Sequence, residues 1–312
     1  MPAWHDQITD KYVANVANAF ITEVGIDAFS IFPKVTTRQL SGYIAQYNKE
    51  DFFYIGDIQK YKLAGSTESV GDEYRVGKQS YVVEKYAFHK DVSEDERNEY
   101  DNPFDPVSDA THYVVHRLKR VLLYNLVSTY MTTGVWDTDT NLTSVKWNAK
   151  TGATSTNDPV KKVMDLCDNI AKVTGFRPNR MIMAQNVYSA LKTNSFITER
   201  MKNTNDKVVT IDLLARLFEL DTIKVLGDVN SAADDFMVSG AALLCYTPDR
   251  PSKMKPSAGY HIVYTRSPKK DLVGTRRLPM EHLNNSLRIE GWMHFEAKAL
   301  ATSLGNYIYN IV

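Results

Sequence analysis

His112 and His116 stand one helical turn apart, the spacing at which two imidazoles can reach one metal ion. A zinc site needs three or four converging ligands, and no third donor lies at a motif-like spacing, so the pair reads as two polar positions on a long helix. Gly71-Asp-Glu-Tyr-Arg-Val-Gly77-Lys78-Gln79 has the outline of a phosphate-binding loop. Five residues separate its glycines where four are required, and Gln79 replaces the hydroxyl that would hold magnesium, which rejects the motif. The carboxylate groups Glu94-Asp95-Glu96 and Asp234-Asp235 have no histidine beside them and no basic partner placed to split their acidities, and they read as solvated loops. No nucleophile elbow, HExxH helix or Cys/His signature occurs. An enzyme reading has no residue to rest on, and no catalytic, cofactor or metal site is expected. Lys49, Lys60, Lys62 and Lys78 could in principle form isopeptide bonds to a neighbour's asparagine, although exposed lysines ordinarily serve solubility and ion pairing.

The two cysteines, Cys167 and Cys245, each sit among apolar neighbours, as small buried hydrophobes do. They supply neither a disulfide framework nor a metal site, which favours a reducing compartment. The start of the chain lacks a signal-peptide pattern, and no run approaches the ~18 apolar residues of a membrane helix, so no membrane partner is expected. Lys plus Arg and Asp plus Glu both total 37, so nothing global advertises nucleic-acid binding. Charge is nevertheless segregated. Residues 84–109 carry nine acids against three bases, and residues 249–277 carry eight bases against two acids. These are either solvated loops or complementary patches that meet between subunits.

Positioning elements are long and unusual. Tyr43 to Tyr54 and Glu73 to Phe88 read as two extended arms rich in Tyr, Val and Phe, yet charged residues interrupt both parities, so neither shows a clean apolar face. A lone hairpin of that length is marginal in water, so the missing partner is expected to be another protein chain. Tyr54, Lys62, Arg75 and Lys78 on the arm, Glu94 and Glu96 in the acidic stretch, and Lys269 and Lys270 in the basic stretch are the expected inter-subunit contacts.

Before the arms, residues 4–24 have helical spacing and lead into an extended, proline-bounded segment around Phe29 to Val35. After them, Asp105-Pro106 gives an N-cap with proline at the first helical position. Val107, Ala110, Val114, Leu118, Val121 and Leu122 then recur at helical steps until Gly134, predicting a spine about 42 Å long. Asn157-Asp158-Pro159 starts a second helix that ends near Gly175. Strands are expected at Arg180–Ala184, Thr222–Leu226, Ala241–Tyr246 and Tyr260–Thr265, with helices at Asn186–Lys192 and after Thr210. Leu287 to Leu300 reads as a closing strand. The class is α+β, without a regular βαβ repeat.

In this order the elements resemble those of tailed-phage major capsid proteins of the Hong Kong 97-like fold. The resembling segments are Phe32–Val35, Glu84–Arg97, Thr132–Trp136, Thr174–Met183, Thr247–Tyr260 and Leu287–Glu296, spread over nearly the whole chain. The resemblance implies an N-terminal arm over residues 1–41, an E-loop over 42–90 and a peripheral domain with the spine helix over 91–157. It further implies an axial domain over 158–285 and a peripheral closing strand over 286–312. It also implies a structural role, with hexamers and pentamers closing into an icosahedral shell around double-stranded DNA bound without sequence specificity. Portal, scaffold and decoration proteins would be further partners, and the shell would assemble in a host bacterial cytoplasm. The family's crosslinking lysine, asparagine and carboxylate find no matching positions here, and because no long N-terminal extension precedes the arm, any scaffold is expected to be a separate protein, or none is needed. A cellular nanocompartment shell of the same fold and, more distantly, a soluble α+β enzyme are the alternatives.

Overall fold

The computed structural model describes residues 31–46, 62, 77–99, 105–148, 158–201, 208–230, 235–250, 255–265, 273–280, 283 and 285–312. The helix expected over residues 4–24 and most of the arm lie outside the described residues. In chain order the first elements are β1 (Lys34–Thr37), β2 (Ser41–Gln46), β3 (Gly77–Val82), β4 (Glu84–Val92), α1 (Glu94–Asn98) and α2 (Pro106–Tyr130). Next come β5 (Thr138–Asn141), α3 (Pro159–Thr174), β6 (Arg180–Ala184), α4 (Gln185–Thr193), α5 (Ser195–Met201), α6 (Ile211–Leu217) and β7 (Thr222–Leu226). The chain closes with β8 (Val229–Asn230), β9 (Asp235–Phe236), β10 (Ala242–Cys245), β11 (Gly259–Tyr264), β12 (Gly274–Met280), β13 (Ser286–Ala299) and β14 (Gly305–Tyr309). Helices and sheets in this mixture make the class α+β.

The described residues gather into two units. In the first, β13 is the middle of a five-stranded sheet in which β1, β11, β13 and β12 are successive neighbours and β4 pairs with the other edge of β13. The long strand alternates strictly, burying Ile289, Gly291, Met293, Phe295 and Ala297 on one face. Spine helix α2 lies against that face. Asp105 caps it, its carboxylate accepting from the Val107 N–H at 3.0 Å, as the Asp-Pro signal predicts. Ala110, Val114, Leu118, Leu122 and Leu126 are buried along one stripe, and Val92, Ala110 and Ile289 share a cluster with Val107. Gly291 lies beneath the helix: a β-carbon there would come within 2.7 Å of Val114 Cγ1 and 3.0 Å of Leu118 Cδ1. The spine has 25 residues, about 37 Å, and stops at Tyr130, a turn short of the Gly134 signal. Val121, assigned to the buried stripe by its spacing, is 36% exposed; Val115 and Leu126 are the buried residues the stripe lacked.

The second unit has its own five-stranded sheet in the order β5-β14-β10-β6-β7. β10 is buried at all four positions, the continuous apolar run of a strand covered on both faces. Helix α3 begins where Asp158 caps Val160 and Pro159 fills the first position, and it ends at Gly175 with φ +77°. The Asp158 carboxylate also takes both guanidinium nitrogens of Arg200 from α5, at 2.9 and 2.6 Å. Thr210 caps α6, as expected. The pairing runs across the boundaries drawn from sequence. Residues 261–264 and 274–280, placed with 158–285, hydrogen-bond into the first unit's sheet, whereas β14, placed with the closing strand, belongs to the second unit. The reason is long-range pairing that local patterning does not reveal: β11 joins β1, and β14 joins β10 and β5.

Candidate assembly surfaces

At the arm's root, β2 and β3 pair only with each other, a two-stranded ribbon without a third strand among the described residues. Tyr43 on it is 74% exposed, and Leu40 and Val82 at its junctions are also largely exposed. A ribbon of this kind stabilises poorly by itself, and its apolar groups call for a covering surface. The return to the first unit is fixed by two backbone donors: the Val83 N–H reaches the Leu40 carbonyl at 2.7 Å, and the Val82 N–H reaches Glu296 Oε2 at 2.7 Å. Burial pushes the Glu296 carboxyl above its ordinary value and nearby Glu84 adds to this, while the Val82 N–H and Lys298 oppose it.

The face of β13 opposite the spine carries Arg288, Glu290, Trp292, His294, Glu296 and Lys298, all half-buried. Its charges are largely matched on the sheet itself. Arg288 forks onto Asp91 at 2.7 and 2.8 Å, and this bonding holds the Asp91 carboxyl below its usual range. Arg276 meets Glu290 at 2.6 Å, and both Arg276 and Lys85 lie over the Trp292 ring at 5.6 Å. His294 packs on Tyr264, and burial, with Lys85 second, lowers its pKa. A tryptophan framed by arginine and paired charges on an open sheet face is the composition of an interface centre. Sequence reasoning used only the buried parity of this strand; the other parity, with its single tryptophan among alternating charges, was the available signal.

Of the expected contact residues, Tyr54, Arg75, Lys269 and Lys270 lie outside the described residues, and Lys62 and Lys78 are exposed. The acidic pair has work within its own chain. The Glu96 carboxylate accepts from the Ser93 N–H at 3.2 Å while Ser93 Oγ accepts from the Glu96 N–H, a reciprocal cap of α1. Glu94 accepts from Asn285 at 3.0 Å. Among the described residues no group of three or more histidine, cysteine or carboxylate side chains gathers where it could hold a metal. His112 is half-buried and His116 is exposed. Both thiols are buried, which pushes Cys167 to about 11 and Cys245 to about 12.

No family model matches the chain. A solved phage-related protein from Bordetella bronchiseptica RB50 is similar over 98% of both chains, with a TM-score of 0.72 and 20% identity. The capsid of the cyanophage P-SCSP1u is similar over 88% of this chain and 84% of its own, with a TM-score of 0.54 and 9% identity. The chain has the Hong Kong 97-like fold. In sequence it is 23% identical to the major capsid protein of Burkholderia phage BcepMu over 219 residues, covering 70% of this chain and 69% of that protein. The fold expected from the order of elements is thus the fold of this chain.

Proposed function

We propose that this chain is a major capsid protein whose copies close into an icosahedral virion shell. The observation that carries the reading is the arm's root: a two-stranded ribbon with exposed Tyr43, leaving a Hong Kong 97-like subunit that is itself well packed. A subunit built this way gains the missing cover for its arm only from a neighbour, so association and arm ordering are one event. Its role is structural and non-enzymatic, and its first partner is itself. Hexamers and pentamers, enclosed double-stranded DNA, and portal, scaffold or decoration proteins complete the proposal, with assembly in the host's cytoplasm. A nanocompartment shell would use the same fold, but similarity to a phage major capsid protein favours the virion. Residues 1–41, 42–90, 91–157, 158–285 and 286–312 are the proposed N-arm, E-loop, peripheral, axial and closing segments, save that β11 and β12 go with the peripheral sheet and β14 with the axial one. Tyr54, Lys62, Arg75, Lys78, Glu94, Glu96, Lys269 and Lys270 are the proposed contacts. Deleting Ile55 to Gly71 tests the arm's part: the expected product is folded subunits that form no closed particles, and full-sized particles from the deletion would refute it.

A further inference from the structure

The solvent side of the spine helix differs in kind from the sheet face. Tyr113, Arg117, Arg120 and Tyr124 recur at steps of four, three and four residues, one continuous stripe opposite the buried one. Tyr124 is 66% exposed, and His116 is exposed beside the stripe. From Ala110 to Trp136 the sequence has no acidic residue, and Asp109, the acid of α2, sits in the first turn where the helix dipole favours it. Strand β4 adds a further cation, with Lys90 lying 5.9 Å over the Tyr113 ring, which Phe88 also flanks. Arg117 covers the same ring at 5.2 Å, and its Nε and Nη2 donate to the Tyr113 hydroxyl at 3.2 and 3.0 Å.

That arrangement matters because an aromatic ring holds a cation in place without neutralising it. On the sheet face Arg276 and Arg288 are each met by a carboxylate. On the helix face Arg117 has no carboxylate within ion-pair distance among the described residues. The result is a pre-ordered basic and aromatic strip of about 16 Å from Tyr113 to Tyr124, comparable to about five phosphates along one DNA strand. Its Lys90 and Arg117 have no carboxylate partner in the ion pairs among the described residues, whereas the centre of a protein interface is depleted of charge.

Resting on the shell reading, we propose that this face, with Lys90 and Arg117 as its cations and Tyr113, His116 and Tyr124 beside them, binds the phosphate backbone of double-stranded DNA without reading its sequence. The charges are complementary, the tyrosines offer polar tips, and nothing on the strip is shaped to distinguish bases.

The test uses the full-length protein and a labelled random-sequence 30-base-pair duplex, about 100 Å long, with binding followed by anisotropy as salt rises. Wild-type affinity should fall linearly in a log-log plot. The Lys90→Gln/Arg117→Gln variant should bind about tenfold more weakly and show a slope shallower by about two, whereas Lys85→Gln, on the sheet face, should match wild type. If limited proteolysis shows that the double variant is misfolded, Arg117→Gln alone should flatten the slope by about one. Unchanged affinity and slope would overturn the proposal. So would a variant that keeps DNA binding but loses particles in micrographs, since the face would then join copies of the chain. Wild-type protein that binds DNA through these residues yet forms no shells would refute the shell reading and leave the DNA face standing.

Discussion

Gly291 is where the spine and the closing strand come closest, and adding one methyl there should expose how the first unit is held together. The new β-carbon of Gly291→Ala would sit 2.7 Å from Val114 Cγ1 and 3.0 Å from Leu118 Cδ1, closer than carbon atoms pack, so the helix or strand must shift. Overpacking of this kind costs about 1–3 kcal/mol. Val114→Ala alone removes two buried methyl groups at ~0.8 kcal/mol each, plus a cavity contribution. Combined, the variants should not add. Val114→Ala removes the atom that Gly291→Ala strikes, and the new methyl partly refills the gap, so the double variant should be more stable than the sum predicts by about 0.5–3 kcal/mol. Urea unfolding of dissociated subunits, followed by circular dichroism, measures all four corners of the cycle. Strict additivity would mean that the two residues do not meet and that the spine is rotated from the orientation described.

Leu118→Ala should cost about 2–5 kcal/mol and yield protease-sensitive protein, while Val121→Ala, on the exposed side, should stay within about 0.5 kcal/mol of wild type; folded, protease-resistant Leu118→Ala monomers would contradict the packing. Glu296→Gln keeps an acceptor for the Val82 N–H and removes a buried charge, so it should equal or exceed wild type in thermal stability at neutral pH. Because the folded Glu296 carboxyl sits above its unfolded value of about 4.3, wild type should gain on the variant as pH falls through the folded value toward the unfolded one, and parallel pH curves would refute the assignment. Cys167 and Cys245 should resist a thiol reagent at neutral pH in the folded protein and both react in urea, and prompt native labelling would show that the second unit opens.

Much of the fold was legible because its signals are local. Asp105-Pro106 and Asp158-Pro159 set helix starts, Gly175 and Thr210 set an end and a cap, and the alternation from Leu287 to Ala299 gave the closing strand within a residue. Pairing was not legible. β5 and β14 are short, so their strand character comes from the neighbours they join across the sequence, and β12 begins at Gly274 beside charged residues that blur its pattern. Val121 was misassigned because a spacing of three from Leu118 fits a helical stripe on paper while turning the residue about 60° beyond it. The surfaces were harder still. Glu94 and Glu96 looked free, yet one bonds Asn285, far along the chain, and the other closes its own helix cap. The basic strip on α2 was hidden by averaging, since a chain with equal numbers of acids and bases gives no hint of where each is paired.

The central claim is that this subunit is completed by copies of itself in a closed shell. Negative-stain electron microscopy of the purified full-length protein tests it most directly. The account predicts closed particles of uniform diameter with hexamers and pentamers resolved in class averages. A discrete small oligomer at every protein concentration, with no curved sheets or shells, would contradict it.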